Sequence, residues 1–139
     1  MRPSTRMAII AVATALTVEL FTLTTSTSAA TAAVGGPADL TITYLAGPTT
    51  APVTWTLHCP SRTGTHPTPG AACDLLETAT TNLFAPTPPG VGCLTIWGGP
   101  QTARVVGRWR AWAVNASFSL TNSCEMSRWA RLVPVLPKV

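Results

Sequence analysis

The run Cys59-Pro60-Ser61-Arg62-Thr63-Gly64-Thr65-His66-Pro67-Thr68-Pro69-Gly70-Ala71-Ala72-Cys73 separates two hydrophobic patterns in this 139-residue chain. Its prolines and glycines predict an irregular loop closed by a cysteine at each end. Apolar and polar residues alternate before the loop, whereas apolar residues after it recur at a helical period. We therefore expect the chain to pass here from strand to helix.

The segments on either side of this loop give the first predicted elements. Residues 40–44 and 53–58 alternate apolar with polar side chains, which indicates two half-buried strands. His58 falls on the polar side of the second strand, so we expect an exposed edge histidine rather than a catalytic one. Residues 71–84 lack proline and glycine and carry apolar residues at positions 72, 75, 76, 79 and 83, which predicts an amphipathic helix.

The C-terminal half predicts an antiparallel hairpin. Residues 105–109 and 114–120 form two alternating runs joined near Arg110-Ala111. Gly107 suggests a bulge or a close backbone approach. Residues 127–139 contain enough apolar side chains for a final strand, confined to a sheet edge by two prolines. The sum is an α+β domain with four or five strands, mostly antiparallel, and one clear helix. The arginines that share one parity of the hairpin, and so one strand face, are Arg104, Arg108 and Arg110.

The N-terminus has the layout of a secretory signal peptide. Arg2 and Arg6 precede an apolar run over residues 7–18, and small residues follow it. We expect residues 1–32 to be removed on export and residues 33–139 to form one domain. Glu19, a charge just beyond the apolar run, leaves a retained membrane anchor as the alternative.

Export accounts for the cysteines. An even number of cysteines in a small exported domain indicates disulfides. Four cysteines allow three pairings, and sequence proximity favours the first with the second and the third with the fourth. A zinc site that also uses the two histidines is the rival, but the chain has no Cys-x-x-Cys pair and the compartment is oxidising. The four residues are Cys59, Cys73, Cys93 and Cys124.

The composition offers little for catalysis or nucleic-acid binding. Residues 33–139 hold seven Lys or Arg and four Asp or Glu, and these charges are sparse rather than clustered. Asp74 and Glu77 share a side of the predicted helix near its start, where acids are usually capping or solvated residues. The chain has neither a phosphate-binding glycine loop nor a metal-ligand cluster. We expect no enzymatic activity, no cofactor, no metal and no nucleic-acid partner.

The stretch Cys93-Leu94-Thr95-Ile96-Trp97-Gly98-Gly99-Pro100 is the candidate site. It joins a cysteine to an apolar run and ends in two glycines and a proline. The proline-rich residues 85–90 precede it and cannot form a helix. We expect a surface loop that is covalently tethered and presents its side chains outward.

Two stretches resemble one known family. Residues 56–60, Thr-Leu-His-Cys-Pro, followed by Gly-Thr-His-Pro-Thr-Pro-Gly-Ala-Ala-Cys at 64–73, resemble the first disulfide loop of the subtilisin inhibitor-like proteins of streptomycetes and relatives. Gly107-x-Trp109 and Asn122-x-Cys124-Glu125-Met126 are similar to that family's hairpin and closing cysteine. The resemblance extends over roughly residues 40–126.

The resemblance implies a secreted, extracellular inhibitor of subtilisin-like serine proteases, usually a homodimer, with no membrane association after signal cleavage. It implies a five-stranded antiparallel sheet, two helices and the disulfides Cys59–Cys73 and Cys93–Cys124. The family's reactive bond lies two residues after the third cysteine, which makes Thr95–Ile96 the bond offered to the protease. Thr95 is then P1, the residue before the cleaved bond, and Ile96 is P1′. The residues implied to flank it in the protease-binding loop are Cys93, Leu94, Trp97, Gly98, Gly99 and Pro100.

The stretch also departs from the family. Relatives usually offer methionine, leucine, lysine or arginine at P1, whereas Thr95 is small, polar and β-branched. The segment before Pro100 is one residue longer and lacks the usual acid, which predicts a looser loop after the reactive bond. A shift of one residue would make Leu94 the P1 residue. The alternative function is a secreted binding or surface module on the same scaffold with weak or no inhibition.

Overall fold

The computed structural model describes residues 36–139, so the predicted signal peptide lies outside the described residues and stays a prediction. Within this range the chain forms five strands and two helices. In chain order they are β1 Ala38–Leu45, β2 Val53–Cys59, β3 Thr63–Gly64, α1 Pro69–Thr78, β4 Thr102–Trp109, β5 Trp112–Ser119 and α2 Ser123–Arg131.

The strands form one antiparallel sheet in the order β3-β2-β1-β4-β5. Alternate residues of each long strand are buried, as Leu40 and Ile42 are on β1, because only one face of the sheet carries the core. Both helices contribute to that core, through Leu76 of α1 and Trp129 of α2. The α+β class, the five antiparallel strands and the two helices are therefore confirmed.

The β4–β5 hairpin is confirmed, with its turn at residues 110 and 111. Gly107 pairs with Leu40 of β1 and has φ +138°. A Cβ at this position would lie 2.0 Å from the carbonyl oxygen of Asp39, so only glycine lets the two backbones approach this closely. The sequence predicted a bulge or a close approach at Gly107, and the structure has the close approach.

Helix α1 ends at Thr78, six residues before the predicted end at residue 84. Thr78, Thr80, Thr81 and Asn82 are poor helix formers, and Ala79 among them is already extended. Leu83 is buried as its apolar character predicts, but it reaches the core from irregular chain.

Arg110 does not share the strand face predicted for it. It follows the last residue of β4 with φ +57°, which turns its side chain away from the face that carries Arg104 and Arg108. Its guanidinium donates to the carbonyl oxygens of Leu76 at 3.4 Å and Ala79 at 2.5 Å, at the end of α1 where helix carbonyls lose their partners within the helix.

The prediction of a strand over residues 127–139 is wrong. Most of its first half belongs to α2, and the remainder forms turns and irregular chain. The side chain of Asn122 accepts a hydrogen bond from the amide of Glu125 at 3.0 Å and so caps the helix. Glu125 in the first turn and Arg131 in the last both match the helix dipole. The fifth strand is instead β3, inside the loop between Cys59 and Cys73.

Candidate functional site

The Cys93–Pro100 loop connects irregular chain after α1 to the start of β4 and is tied to α2 by a disulfide. Cys93 bonds to Cys124, with their Cα atoms 5.4 Å apart. The other disulfide joins Cys59 to Cys73, across the loop that leads into α1. Both predicted pairings are confirmed, and the Cys93–Cys124 bond places the candidate loop beside the N-terminus of α2.

The backbone of Leu94 is held at both of its polar groups by Ser123. The amide of Leu94 donates to Ser123 Oγ at 2.9 Å, and the amide of Ser123 donates to the Leu94 carbonyl at 3.1 Å. Because Ser123 adjoins Cys124, the disulfide and these hydrogen bonds act on consecutive residues of both segments. The loop is therefore fixed to the scaffold directly before Thr95.

Thr95 is the central residue of a three-residue turn. The amide of Ile96 donates to the carbonyl of Leu94 at 2.9 Å, which is the i to i+2 hydrogen bond of a γ-turn. The φ angle of Thr95 is not positive, so the turn belongs to the common inverse class. Within residues 36–139, neither backbone polar group of Thr95 has a hydrogen-bond partner. Thr95 is exposed at the apex of the loop.

The chain after Thr95 has its own anchor. The amide of Gly98 donates to the carbonyl of Leu120 at 2.7 Å, and the side chain of Met126 packs against Gly98. Gly99 is buried with φ +144°, and a Cβ there would meet the side-chain oxygen of Gln101 at 2.2 Å. The sequence predicted a looser segment here, but the two glycines let the chain turn inward to a direct anchor.

The large side chains of the loop point outward, as the sequence predicts. Leu94, Ile96 and Trp97 expose 67%, 48% and 69% of their surface. The scaffold therefore holds the backbone while leaving the apolar side chains in water. An exposed apolar surface on a fixed backbone is typical of a segment that binds another protein.

The other residues considered for chemistry are not assembled into a site. His58 is half-buried between β3 and β1, and its Nδ1 lies 3.0 Å from a carboxylate oxygen of Asp39. Asp74 pairs with Arg62 at 2.5 Å rather than with the neighbouring acid Glu77. Within residues 36–139 no three of the His, Cys, Asp and Glu side chains come together as metal ligands.

The sequence did not reveal which residues hold the loop from behind. Ser123, Leu120 and Met126 follow β5 and were not singled out as site residues, because their contacts depend on the path of the chain in three dimensions. The signal that could have found Ser123 is the Asn-x-x-Glu spacing at residues 122–125. This spacing predicts a helix start beside Cys124.

No helix in the described part of the chain is both long and apolar enough to cross a membrane. No curated protein sequence matches the chain. Among solved structures, the chain is similar to the crystal structure of Streptomyces caespitosus sermetstatin in complex with Bacillus licheniformis subtilisin. The identity is 30%, the alignment covers 74% of this chain and 100% of the other, and the TM-score is 0.49.

The sequence model of the family described as subtilisin inhibitor-like matches residues 36–122, which is more than half of the chain. The matched range includes both cysteines of the first disulfide and the whole Cys93–Pro100 loop. Members of this family inhibit proteases and are not enzymes. The chain therefore belongs to the subtilisin inhibitor-like family.

Proposed function

We propose that this protein is a secreted inhibitor of subtilisin-like serine endopeptidases that binds them as a substrate does, with Thr95–Ile96 as the reactive bond. The observation that carries the proposal is the pair of hydrogen bonds between Leu94 and Ser123. These bonds hold the loop in one conformation before any protease arrives. A loop that is already ordered avoids much of the entropy that a free peptide loses on binding.

The hydrogen bonds of Leu94 also favour one position for the reactive bond. Thr95 lies at the apex of the turn, and neither of its backbone polar groups has a hydrogen-bond partner within residues 36–139. Leu94 directs its N–H and C=O groups toward Ser123, which leaves those of Cys93 and Thr95 for a protease that pairs with the segment as an added strand. This argument favours Thr95 over Leu94 as the P1 residue.

The anchors on both sides of Thr95 support slow and reversible cleavage. The protease serine attacks the carbonyl carbon of Thr95, the Thr95–Ile96 C–N bond breaks, and the amine of Ile96 takes up a proton. The Cys93–Cys124 disulfide holds the acyl side, and the hydrogen bond from Gly98 to Leu120 holds the amine side. The amine therefore stays beside the acyl-enzyme, and re-formation of the bond competes with hydrolysis.

Export and assembly belong to the same proposal. We propose that residues 1–32 are removed on export and that residues 33–139 form the extracellular inhibitor. Two disulfides and the absence of free cysteines among the described residues suit an oxidising compartment. Following its family, the mature protein is proposed to be a homodimer. Mass spectrometry of the exported protein and light scattering after gel filtration test these two points.

Titration against subtilisin tests the function. We expect near-stoichiometric inhibition and slow cleavage between Thr95 and Ile96, identified by the mass of the fragments after reduction. The variant Thr95→Met should inhibit subtilisin at least about tenfold more tightly, because a larger apolar side chain fills the S1 pocket. Little change in this variant would indicate that Leu94 fills S1. The absence of inhibition at micromolar protein, with cleavage elsewhere in the loop, would favour a binding module.

A further inference from the structure

We propose that Trp97, two residues after the reactive bond, is the main anchor of the loop, and that the preferred target is a serine endopeptidase with a shallow S1 pocket. This inference rests on the proposed function and identifies which kind of protease the site fits. Most of the binding energy then comes from the segment after the reactive bond, called here the primed side, rather than from the P1 side chain.

Exposed apolar surface is concentrated around the reactive bond. Of seven large hydrophobic residues exposed between residues 36 and 139, four lie within residues 91–97. Such a concentration on a protein surface marks a binding site for another protein. These four are Val91, Leu94, Ile96 and Trp97, with exposed fractions of 51%, 67%, 48% and 69% respectively.

Trp97 differs from three of the other tryptophans in what its side chain contacts. The indole N–H groups of Trp109 and Trp129 donate to backbone carbonyls, and Trp55 stacks on Tyr44. Trp97 makes no such contact with the described residues and exposes 69% of its surface. A tryptophan of this kind is the side chain most often found to dominate an interface when a partner covers it.

The backbone that carries Trp97 is held in place on the scaffold. Its neighbour Gly98 donates to the Leu120 carbonyl and packs against Met126. The turn at Thr95 fixes the amide of Ile96 on the other side. The indole is therefore presented from a fixed position, which lowers the entropy that is lost when a protease covers it.

Thr95 cannot make an equivalent contribution. Its side chain is small and β-branched, so it leaves a deep S1 pocket partly empty and buries little apolar surface. A pocket shaped for a small residue, as in elastase, accepts it without that loss. The combination of a small P1 residue and an exposed indole therefore fits a protease with a shallow S1 pocket and an apolar groove on the primed side.

Inhibition constants against pancreatic elastase and subtilisin test the inference. Trp97→Ala should weaken inhibition of elastase by at least about 30-fold, whereas Thr95→Ala should weaken it by about threefold or less. Trp112→Ala is the matched control, since Trp112 is 59% exposed but begins β5, about 25 Å along the strand from Leu120. This control should leave inhibition unchanged.

Thr95→Met, which suits a deep S1 pocket, should change the two inhibition constants in opposite directions. Thr95→Met should tighten inhibition of subtilisin and weaken that of elastase, because the longer side chain fills the deep pocket and does not fit the shallow one. A loss from Thr95→Ala that equals or exceeds the loss from Trp97→Ala would overturn the inference. So would tighter inhibition of subtilisin than of elastase by the unmodified protein. Inhibition of neither protease would instead reject the proposed function, and the inference with it.

Discussion

Ser123 binds both backbone polar groups of Leu94. The Leu94 amide donates to Ser123 Oγ at 2.9 Å, and the Ser123 amide donates to the Leu94 carbonyl at 3.1 Å. One residue of α2 thus fixes the conformation of the loop immediately before the reactive bond. The hydrogen bond from the backbone amide of residue 123 can form whatever the side chain there, whereas the hydrogen bond to Oγ depends on the serine hydroxyl. The two contributions can therefore be separated by mutation.

Ser123→Ala removes only the hydroxyl. Loss of one such hydrogen bond costs about 1 kcal/mol, equivalent to about a fivefold change. We expect subtilisin to cleave the variant about fivefold faster than the unmodified protein. The inhibition measured before cleavage begins should be similar for the two proteins. Fragment mass measured over time checks this.

Ser127→Ala is the control for Ser123→Ala. The hydroxyl of Ser127 donates to the carbonyl of Ser123 on the same helix rather than to the Cys93–Pro100 loop. Its removal should leave the cleavage rate unchanged. Equal rates for the two variants would show that the hydroxyl of Ser123 does not restrain the loop.

The two disulfides should differ in function although they stabilise the fold to a similar extent. Closing loops of 14 and 31 residues contributes about 3 and about 4 kcal/mol in the chain-entropy description. Replacing either cysteine pair by serine should lower the free energy of unfolding by about that amount, measured in urea. Only the loss of the Cys93–Cys124 bond should turn the inhibitor into a substrate that is cleaved rapidly and not re-formed.

The comparison of the two paired-serine variants is made below their unfolding midpoints, so that both are folded. Rapid cleavage of both variants at Thr95–Ile96 would mean that general stability, rather than the local tether, protects the bond.

The sequence predicted those elements whose pattern is local. Residues 40–44 and 53–58 alternate strictly, so their faces follow from the pleat alone, and Gly107 signals the close approach without knowledge of its partner. The end of α1 could not be predicted in this way. It depends on the Thr and Asn residues among 78–82, which are poor helix formers, and on Arg110, which reaches the last carbonyls from more than 30 residues away.

The C-terminal error has a different physical origin. The apolar residues after Ser127 are closely spaced, and their spacing does not distinguish a helix followed by turns from an edge strand. The Asn122 cap and the acid at Glu125 carried the correct signal but were outweighed by the apolar content. The same error concealed Ser123, since the residue that holds Leu94 is the first residue of the helix that was missed.

His66 is expected to be a structural residue of the first disulfide loop. It is buried, its Nδ1 accepts the amide of Thr68 at 3.2 Å, and its Nε2 lies 3.1 Å from the carbonyl of Val135. These partners require the neutral ring with the proton on Nε2, which nitrogen NMR of the histidine side chain can detect. His66→Ala should lower the free energy of unfolding by about 2–3 kcal/mol, because a buried amide and a carbonyl lose their partners.

His58→Ala is the matched control for that variant. Its contact with Asp39 lies on the solvent side of the sheet, where such polar pairs contribute at most about 1 kcal/mol. Equal losses from the two histidine variants in urea unfolding would contradict the structural role assigned to His66.

Arg110 should stabilise the end of α1 more than any arginine on the open face of the sheet stabilises the fold. Its guanidinium donates to the carbonyl of Ala79 and to that of Leu76, which also accepts the indole N–H of Trp109, and it lies 4.4 Å from the ring centre of Trp109. Charged hydrogen bonds of this kind contribute about 1.5–3 kcal/mol, so Arg110→Ala should lower the free energy of unfolding by about that amount.

Arg108→Ala, at an exposed position of β4, should change the free energy of unfolding by less than about 0.5 kcal/mol. Both hydrogen bonds of Arg110 come from the single nitrogen Nη2, so Arg110→Lys should keep part of this contribution but lose the stacking of the planar guanidinium on Trp109. Full recovery by lysine in urea unfolding would reduce the role of Arg110 to its positive charge beside the helix C-terminus.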